Sequence, residues 1–275
     1  MIAANPSTGM TRPPPPQKKW TNLRIAGHVL MALWILSGLY LLYFLGSNVA
    51  SPFFQKYWPE YVDGFIVTIQ IVSVSLVLGA LLSVPIAAGR ASKLKIFSWP
   101  AYAYVNFFRG TPLLAQAFMV YYGFGSFSEE LKAAGLWWFF RDAWYCVIFT
   151  FSLNTAAYQA EILRGAIQNV PKGQWEGGEA LGLSRNVIFF KIILPQALMV
   201  ALRPYGNEII LMIKGSAIAS IVTIYDLMGE TRRAYSRSYD FQAYIWAAVA
   251  YLLIVETLRR IWDKIEARLT RHLKR

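Results

Sequence analysis

The chain has 275 residues, 56% of them hydrophobic and 15% charged, with a mean hydropathy of +0.38 and a formal net charge of +12. So low a charged fraction excludes an ordinary soluble domain, where about a quarter of positions are charged. One cysteine, Cys146, and two distant histidines, His28 and His272, exclude a disulfide framework and give no metal cluster, so neither cofactor nor metal is expected.

Residues 1–25 are polar and carry Pro13 to Pro16. The apolar run after them starts too late and is too long for a secretory signal. A disordered cytosolic tail leading into an uncleaved membrane helix is expected. About 20 apolar residues cross a bilayer core, and four runs meet this easily: 26–45, 65–88, 100–122 and 144–163. A fifth lies at about 205–225 and a sixth at about 241–258. As one helix, 192–225 would be about 51 Å long, so Pro195 and Pro204 are expected to break it near the membrane surface.

Lys and Arg set the orientation. Segments 1–25, 89–98, 164–194 and 259–275 hold 18 of the 27, against 6 in 46–63, 123–143 and 226–240. The positive-inside rule then puts both termini in the cytosol. The expected fold is all-α: a polytopic membrane helix bundle with six transmembrane helices, N-in and C-in. The basic excess reads as an insertion signal, and nucleic-acid binding is not expected. A lipid bilayer is the implied surrounding.

One cytosolic loop, 164–194, is longer than the others. Asn169 and Pro171 can open a short helix, Gly182 can end it, and Ser184 can cap a second short helix running to about Lys191. Within the loop, Glu176-Gly177-Gly178, Gly182, Ile192 and Leu194-Pro195 keep every spacing of a motif written EAA, three residues, G, nine residues, I, one residue, LP. The chain here resembles the permeases of bacterial ATP-binding-cassette importers, in the polar amino acid branch (histidine, glutamine, arginine and opine types). Arg109-Gly-Thr-Pro-Leu-Leu114, Ala157-Tyr-Gln-Ala-Glu-Ile-Leu-Arg-Gly165, Val170-Pro-Lys-Gly-Gln174, Leu194-Pro-Gln-Ala197, Pro204-Tyr-Gly-Asn-Glu208 and Lys214-Gly-Ser216 resemble that branch too. The departure is Gly-Gly for Ala-Ala, which costs about 0.8–1 kcal/mol of local helix stability per residue.

The resemblance covers about 57–260 and implies a five-helix transmembrane domain with its coupling loop at 164–194. An extra N-terminal helix and outer loop (26–56) precede it, and a basic cytosolic tail (261–275) follows. It implies a transport subunit of the bacterial inner membrane, not an enzyme. Its implied partners are two ABC ATPase subunits, a second permease (identical or similar) and an external solute-binding protein, and its implied substrate is a polar amino acid or an opine. Glu176, Gly177, Gly178, Glu179, Gly182, Leu194 and Pro195 would form the ATPase-coupling element at 171–191: glycines admit close backbone approach and carboxylates meet basic groups. No G-x-x-x-x-G-K-[ST] loop occurs, so ATP hydrolysis belongs to another chain.

Intramembrane polar residues usually face a bundle interior. Asn154, Tyr158 and Glu161 share one face of the fourth span, and Asn207 and Lys214 share one face of the fifth, with Glu208 about 100° away. These six are candidates for a path carrying a zwitterion, with interhelical pairing as the competing role. Arg109, Gly110 and Pro112 mark an expected kink. A membrane enzyme would show clustered His or carboxylates at depth, which are absent from the sequence. A passive channel or proton-coupled carrier would not need the structured loop.

Overall fold

The computed structural model describes residues 20–271. Most of the tail expected at 1–25, and His272 with the end of the basic tail, lie outside the described residues. Every regular element among them is helical. The chain divides at 56/57 into two compact units.

In the first unit α1 (Asn22–Asn48) is 27 residues long and buries none of them. That suits a lipid-facing helix, whose backbone polar groups are all paired internally. Helix α2 (Pro52–Ala91) then runs 40 residues into the second unit. Its buried stripe, Tyr61, Gly64, Thr68, Ile71, Ser75, Gly79 and Ser83, repeats every three to four residues, so one face meets the bundle. Small residues on that face admit close neighbours. A side chain at Gly64 would meet the Asp226 carbonyl oxygen at 2.9 Å, and one at Gly79 would overlap the Thr155 methyl.

Helix α3 (Lys95–Gly110) stops short of the 100–122 span read from the sequence. Thr111 and Pro112 are extended, and α4 (Leu113–Phe118) restarts the helix, continuing through one π turn at Met119–Gly123. Pro112 supplies no N–H and disfavours helical backbone at Thr111, which explains the interruption. Two short helices, α5 (Ser128–Ala133) and α6 (Trp137–Phe140), lead to α7 (Ala143–Gln168), capped by the Asp142 carboxylate, which accepts from the Trp144 N–H at 2.8 Å. Helix α7 is the centre of the unit. It packs on α3, α4 and α10 and buries Val147, Phe151, Ala156, Ala157 and Ala160 completely or almost so.

After α8 (Lys172–Ala180) and a single turn α9 (Arg185–Val187), a π-helical stretch at Ile188–Ile193 leads directly into α10 (Leu194–Ser216). Helix α10 ends in a 3-10 segment, Ala217–Val222. Three expectations are corrected here. Pro195 and Pro204 do not break the chain, which is helical from Arg185 to Val222. The π turns precede Pro195 and loosen the ladder where its N–H is missing. Around Pro204 the helix is held from outside, by α7 and α12 and by the Trp262 Nε1–H donated to the Leu202 carbonyl at 2.8 Å. For the same reason the second short helix does not end near Lys191; it is the first turn of the long helix. Asn169, expected to cap α8, instead follows α7 and donates its amide to the Gly165 carbonyl at 3.0 Å, while Pro171 occupies the N-cap of α8.

Helix α11 (Leu227–Ser238) begins at Asp226, which is fully buried and accepts from the Gly229 N–H at 2.9 Å. Burial pushes the Asp226 carboxyl up to about 6. Helix α12 (Gln242–Leu269) closes the unit against α10 and α11. By length and composition, three of the described helical stretches suit a membrane crossing on their own: Asn22–Asn48, Pro52–Ala91 and Arg185–Val222. The other apolar runs fall on α3–α4, α7 and α12.

Candidate transport site and coupling face

The break at Thr111–Pro112 leaves helix-end carbonyls without their usual donors. Two side-chain amides fill that role. Gln116 donates to Phe108 O at 3.0 Å, to Thr111 O at 3.1 Å and to Thr111 Oγ1 at 2.7 Å. Asn154, from α7, donates to Phe108 O at 3.0 Å and to Gln116 Oε1 at 2.9 Å. The Asn154 amide is therefore spent on holding the interrupted helix against α7.

Glu161 collects three guanidinium groups from three helices. Arg90 Nε lies 2.9 Å away, Arg164 Nη2 2.6 Å and Arg109 Nη1 3.9 Å. Arg90 also stacks over Tyr102 at 4.9 Å and Arg109 over Tyr158 at 5.3 Å. The Glu161 side chain is 14% exposed, and both its oxygens are engaged. It ties α2, α3 and α7 together.

Glu208 stands on α10 facing α7. It is 6% exposed, and Thr155 donates its hydroxyl to Oε1 at 2.8 Å. Gln159 donates to Thr155 Oγ1 at 3.0 Å and to the Leu76 carbonyl at 3.2 Å. Around α10 from Glu208 the surface changes. Arg203, Asn207, Leu211 and Lys214 are exposed and recur every three to four residues, forming a stripe opposite the buried Ala201, Glu208, Met212 and Ser216. Of the six path residues read from the sequence, the structure thus gathers Asn154, Tyr158, Glu161 and Glu208 along one side of α7, and puts Asn207 and Lys214 on a separate open face. Gln116, Thr155, Gln159 and Arg90 were not singled out in the sequence. Thr155 and Gln159 could have been, because they are i, i+4 neighbours among apolar residues of α7.

At the other end, α8 presents Glu176, Gly177 and Glu179 outward and turns Gly178 inward. A side chain at Gly178 would come within 2.8 Å of Ile188 Cγ1, whereas at Gly177 it would meet nothing within 4 Å. Gly178 is thus the contact by which α8 settles on Ile188, a member of a buried cluster with Ala166, Val170, Ile193, Ala197 and Ala201. Gly182, at φ +71°, closes α8. Its N–H goes to Glu179 O at 2.9 Å and the Leu183 N–H to Gly178 O at 3.1 Å, a paired C-terminal cap. Gln196 donates to Gln174 Oε1 at 3.3 Å, and Trp175 packs near Phe189, so α8 is fastened to the root of α10. Leu194 is half-buried at that root and Pro195 is exposed.

Residues 79–271 match the family model described as the binding-protein-dependent transport system inner membrane component. The chain belongs to this family of ABC importer permeases. The permease is 39% identical to the nopaline transport system permease protein of Agrobacterium fabrum over 218 residues, 79% of this chain and 90% of that one. It is 37% identical to the arginine ABC transporter permease protein of Haemophilus influenzae (78% and 93% covered) and 35% identical to the L-cystine transport system permease protein of Bacillus subtilis (80% and 90%). Its structure superposes on that of an amino acid ABC transporter with a TM-score of 0.70 at 32% identity, covering 78% of this chain and 95% of the other. It shares its fold with the inward-facing MetNI methionine ABC transporter, at a TM-score of 0.60 and 20% identity.

Proposed function

We propose that this permease moves an amino acid or an opine across the bacterial inner membrane by alternating access, driven by a separate ATPase acting on 171–191. Relatives named for nopaline, octopine, arginine and cystine support that substrate class. The reading has six crossings with both termini in the cytosol, an added N-terminal helix (26–56), the transport domain at 57–260 and a basic tail at 261–275. Two such permeases, identical or similar, share one pore. Two ATPases dock below, and a solute-binding protein delivers cargo from outside.

The observation that carries this reading is the seating of α8. An outward face of Glu176, Gly177 and Glu179 sits on a helix whose inward residue, Gly178, rests on Ile188, in the first turn of the 38-residue helical stretch Arg185–Val222. Push on α8 is thereby delivered to Leu194, Pro195 and all of α10. That helix carries Glu208, an anionic partner for a substrate cation, and the open stripe of Asn207 and Lys214. Charged or polar groups exposed at membrane depth belong against a water-filled path or a partner subunit, which supports placing the path there.

Capture of an ATPase by the purified permease tests the coupling. The wild type retains the ATPase subunit of its own transport system, and Glu176→Lys, which reverses a fully outward charge, weakens retention by tenfold or more, at roughly 1.4 kcal/mol per decade. Equal retention by both removes Glu176 from the interface, and no retention by either removes the coupling reading.

A further inference from the structure

Arg109 is placed in a way that its contact with Glu161 does not explain. It lies 14 residues beyond Lys95 in α3, about 21 Å along the axis, within the apolar run 100–122. A cation there is costly unless it faces water or an anion. Yet its side chain is 44% exposed, and the nearest Glu161 oxygen is 3.9 Å away, beyond hydrogen-bond range. Glu161 does not need it, because Arg164 at 2.6 Å and Arg90 at 2.9 Å already hold that carboxylate. Among the described residues the Arg109 guanidinium makes no hydrogen bond. Its Cζ sits over the Tyr158 ring, 5.3 Å from the centroid, and its N–H groups are left unoccupied among the described residues. An arginine fork so held is suited to a carboxylate, which it can meet with two parallel bonds.

Its surroundings narrow the ligand. Tyr158, beneath Arg109, and Thr155, bonded to Glu208, are three residues apart on α7 and so lie on one face. The carboxylate bonded to Thr155 comes from α10 and the guanidinium over Tyr158 comes from α3, so groups of opposite charge attach to neighbouring positions on one face of α7. This is the charge pattern complementary to a zwitterion.

We propose that Arg109, seated on Tyr158, is the subsite that receives the carboxylate of the transported solute, with Glu208 receiving its cationic group. This rests on the amino-acid or opine reading given above and adds to it the recognition of one functional group. Removing the carboxylate's charge from the solute and removing the guanidinium from the protein should then be equivalent losses. Each removes one charge-assisted pair, and the second has no further effect once the first is made.

The test is equilibrium binding to the permease–ATPase complex in lipid nanodiscs without any solute-binding protein, so that discrimination comes from the permease alone. The probes are radiolabelled amino acids, octopine and nopaline, followed by the primary amide of whichever binds best. Wild type is expected to bind the acid about tenfold or more better than its amide. Arg109→Met should bind both at the amide's level, and Arg109→Lys, with charge but no fork, should fall between. ATPase capture, which a misassembled bundle would lose, should be unchanged in both variants. If wild type binds acid and amide alike, or if Arg109→Met still favours the acid as strongly as wild type, the proposal is overturned while the import reading stands. If no amino acid or opine binds at all, the substrate reading itself fails, and this proposal with it. If both variants lose ATPase capture, Arg109 is a structural residue and the proposal is likewise overturned.

Discussion

Glu161→Gln is expected to cost the permease about 3–5 kcal/mol, the range for removing one partner of a buried ion pair. The substitution keeps the size and shape of the side chain and deletes its charge. Arg90 and Arg164, 19% and 25% exposed, are then left facing each other with Arg109 nearby and no counter-charge. Because the cluster joins α2, α3 and α7, the loss falls on the packing of three helices rather than on one side chain. Thermal unfolding of the purified permease–ATPase complex should drop by on the order of 10 °C. Glu161→Gln combined with Arg164→Gln should recover part of that drop, since it removes one of the unpaired cations. An unchanged melting temperature for the single variant would show that Glu161 is not what ties those helices.

The second large effect is expected at Gly206. A methyl group there would overlap Nε1 and Cδ1 of the Trp262 indole, so the ring must leave its seat on α10. With it goes the hydrogen bond from Trp262 to Leu202 O, beside Pro204, where the helix already lacks a donor. Gly206→Ala should therefore destabilise the α10–α12 contact by about 1–3 kcal/mol or more, and it should lower uptake because Glu208 sits two residues on. Trimming the obstructing ring by pairing Gly206→Ala with Trp262→Leu should restore most of the stability. Were the single variant as stable as wild type, α12 would not be packed on α10 at this point.

The long apolar runs were plain in the sequence because a bilayer demands them, and α1 and α7 follow them to within five residues, while α2 begins 13 residues before the run read at 65–88. The glycine that ends α8 was also readable, since only a residue tolerant of positive φ closes that cap without strain. Pro195 and Pro204 misled, because the rule that proline ends a helix belongs to water. Within a bundle, π turns and a neighbouring indole compensate the lost bonds, and nothing local in the sequence announces either. The polar residues of α7 were visible, but their partners were not. Asn154 serves carbonyls freed 46 residues earlier, and Glu161 meets Arg90 across 71 residues of chain. Neutral Gln116 carries no charge or periodic signal to select it, whereas the i, i+4 pair Thr155 and Gln159 was there to be read. The Gly-Gly pair of the coupling loop separates only in three dimensions, into an open Gly177 and a Gly178 pressed on Ile188.

The central claim is that α8 faces the cytosol and there touches the ATPase. A single cysteine in place of Glu176, in a Cys146→Ala background, tests it in intact spheroplasts. A membrane-impermeant maleimide added outside should leave that cysteine unmodified and should label it once the membrane is permeabilised. A short thiol crosslinker should then join it to the ATPase. Labelling from the outside of sealed cells would contradict the orientation and the coupling together.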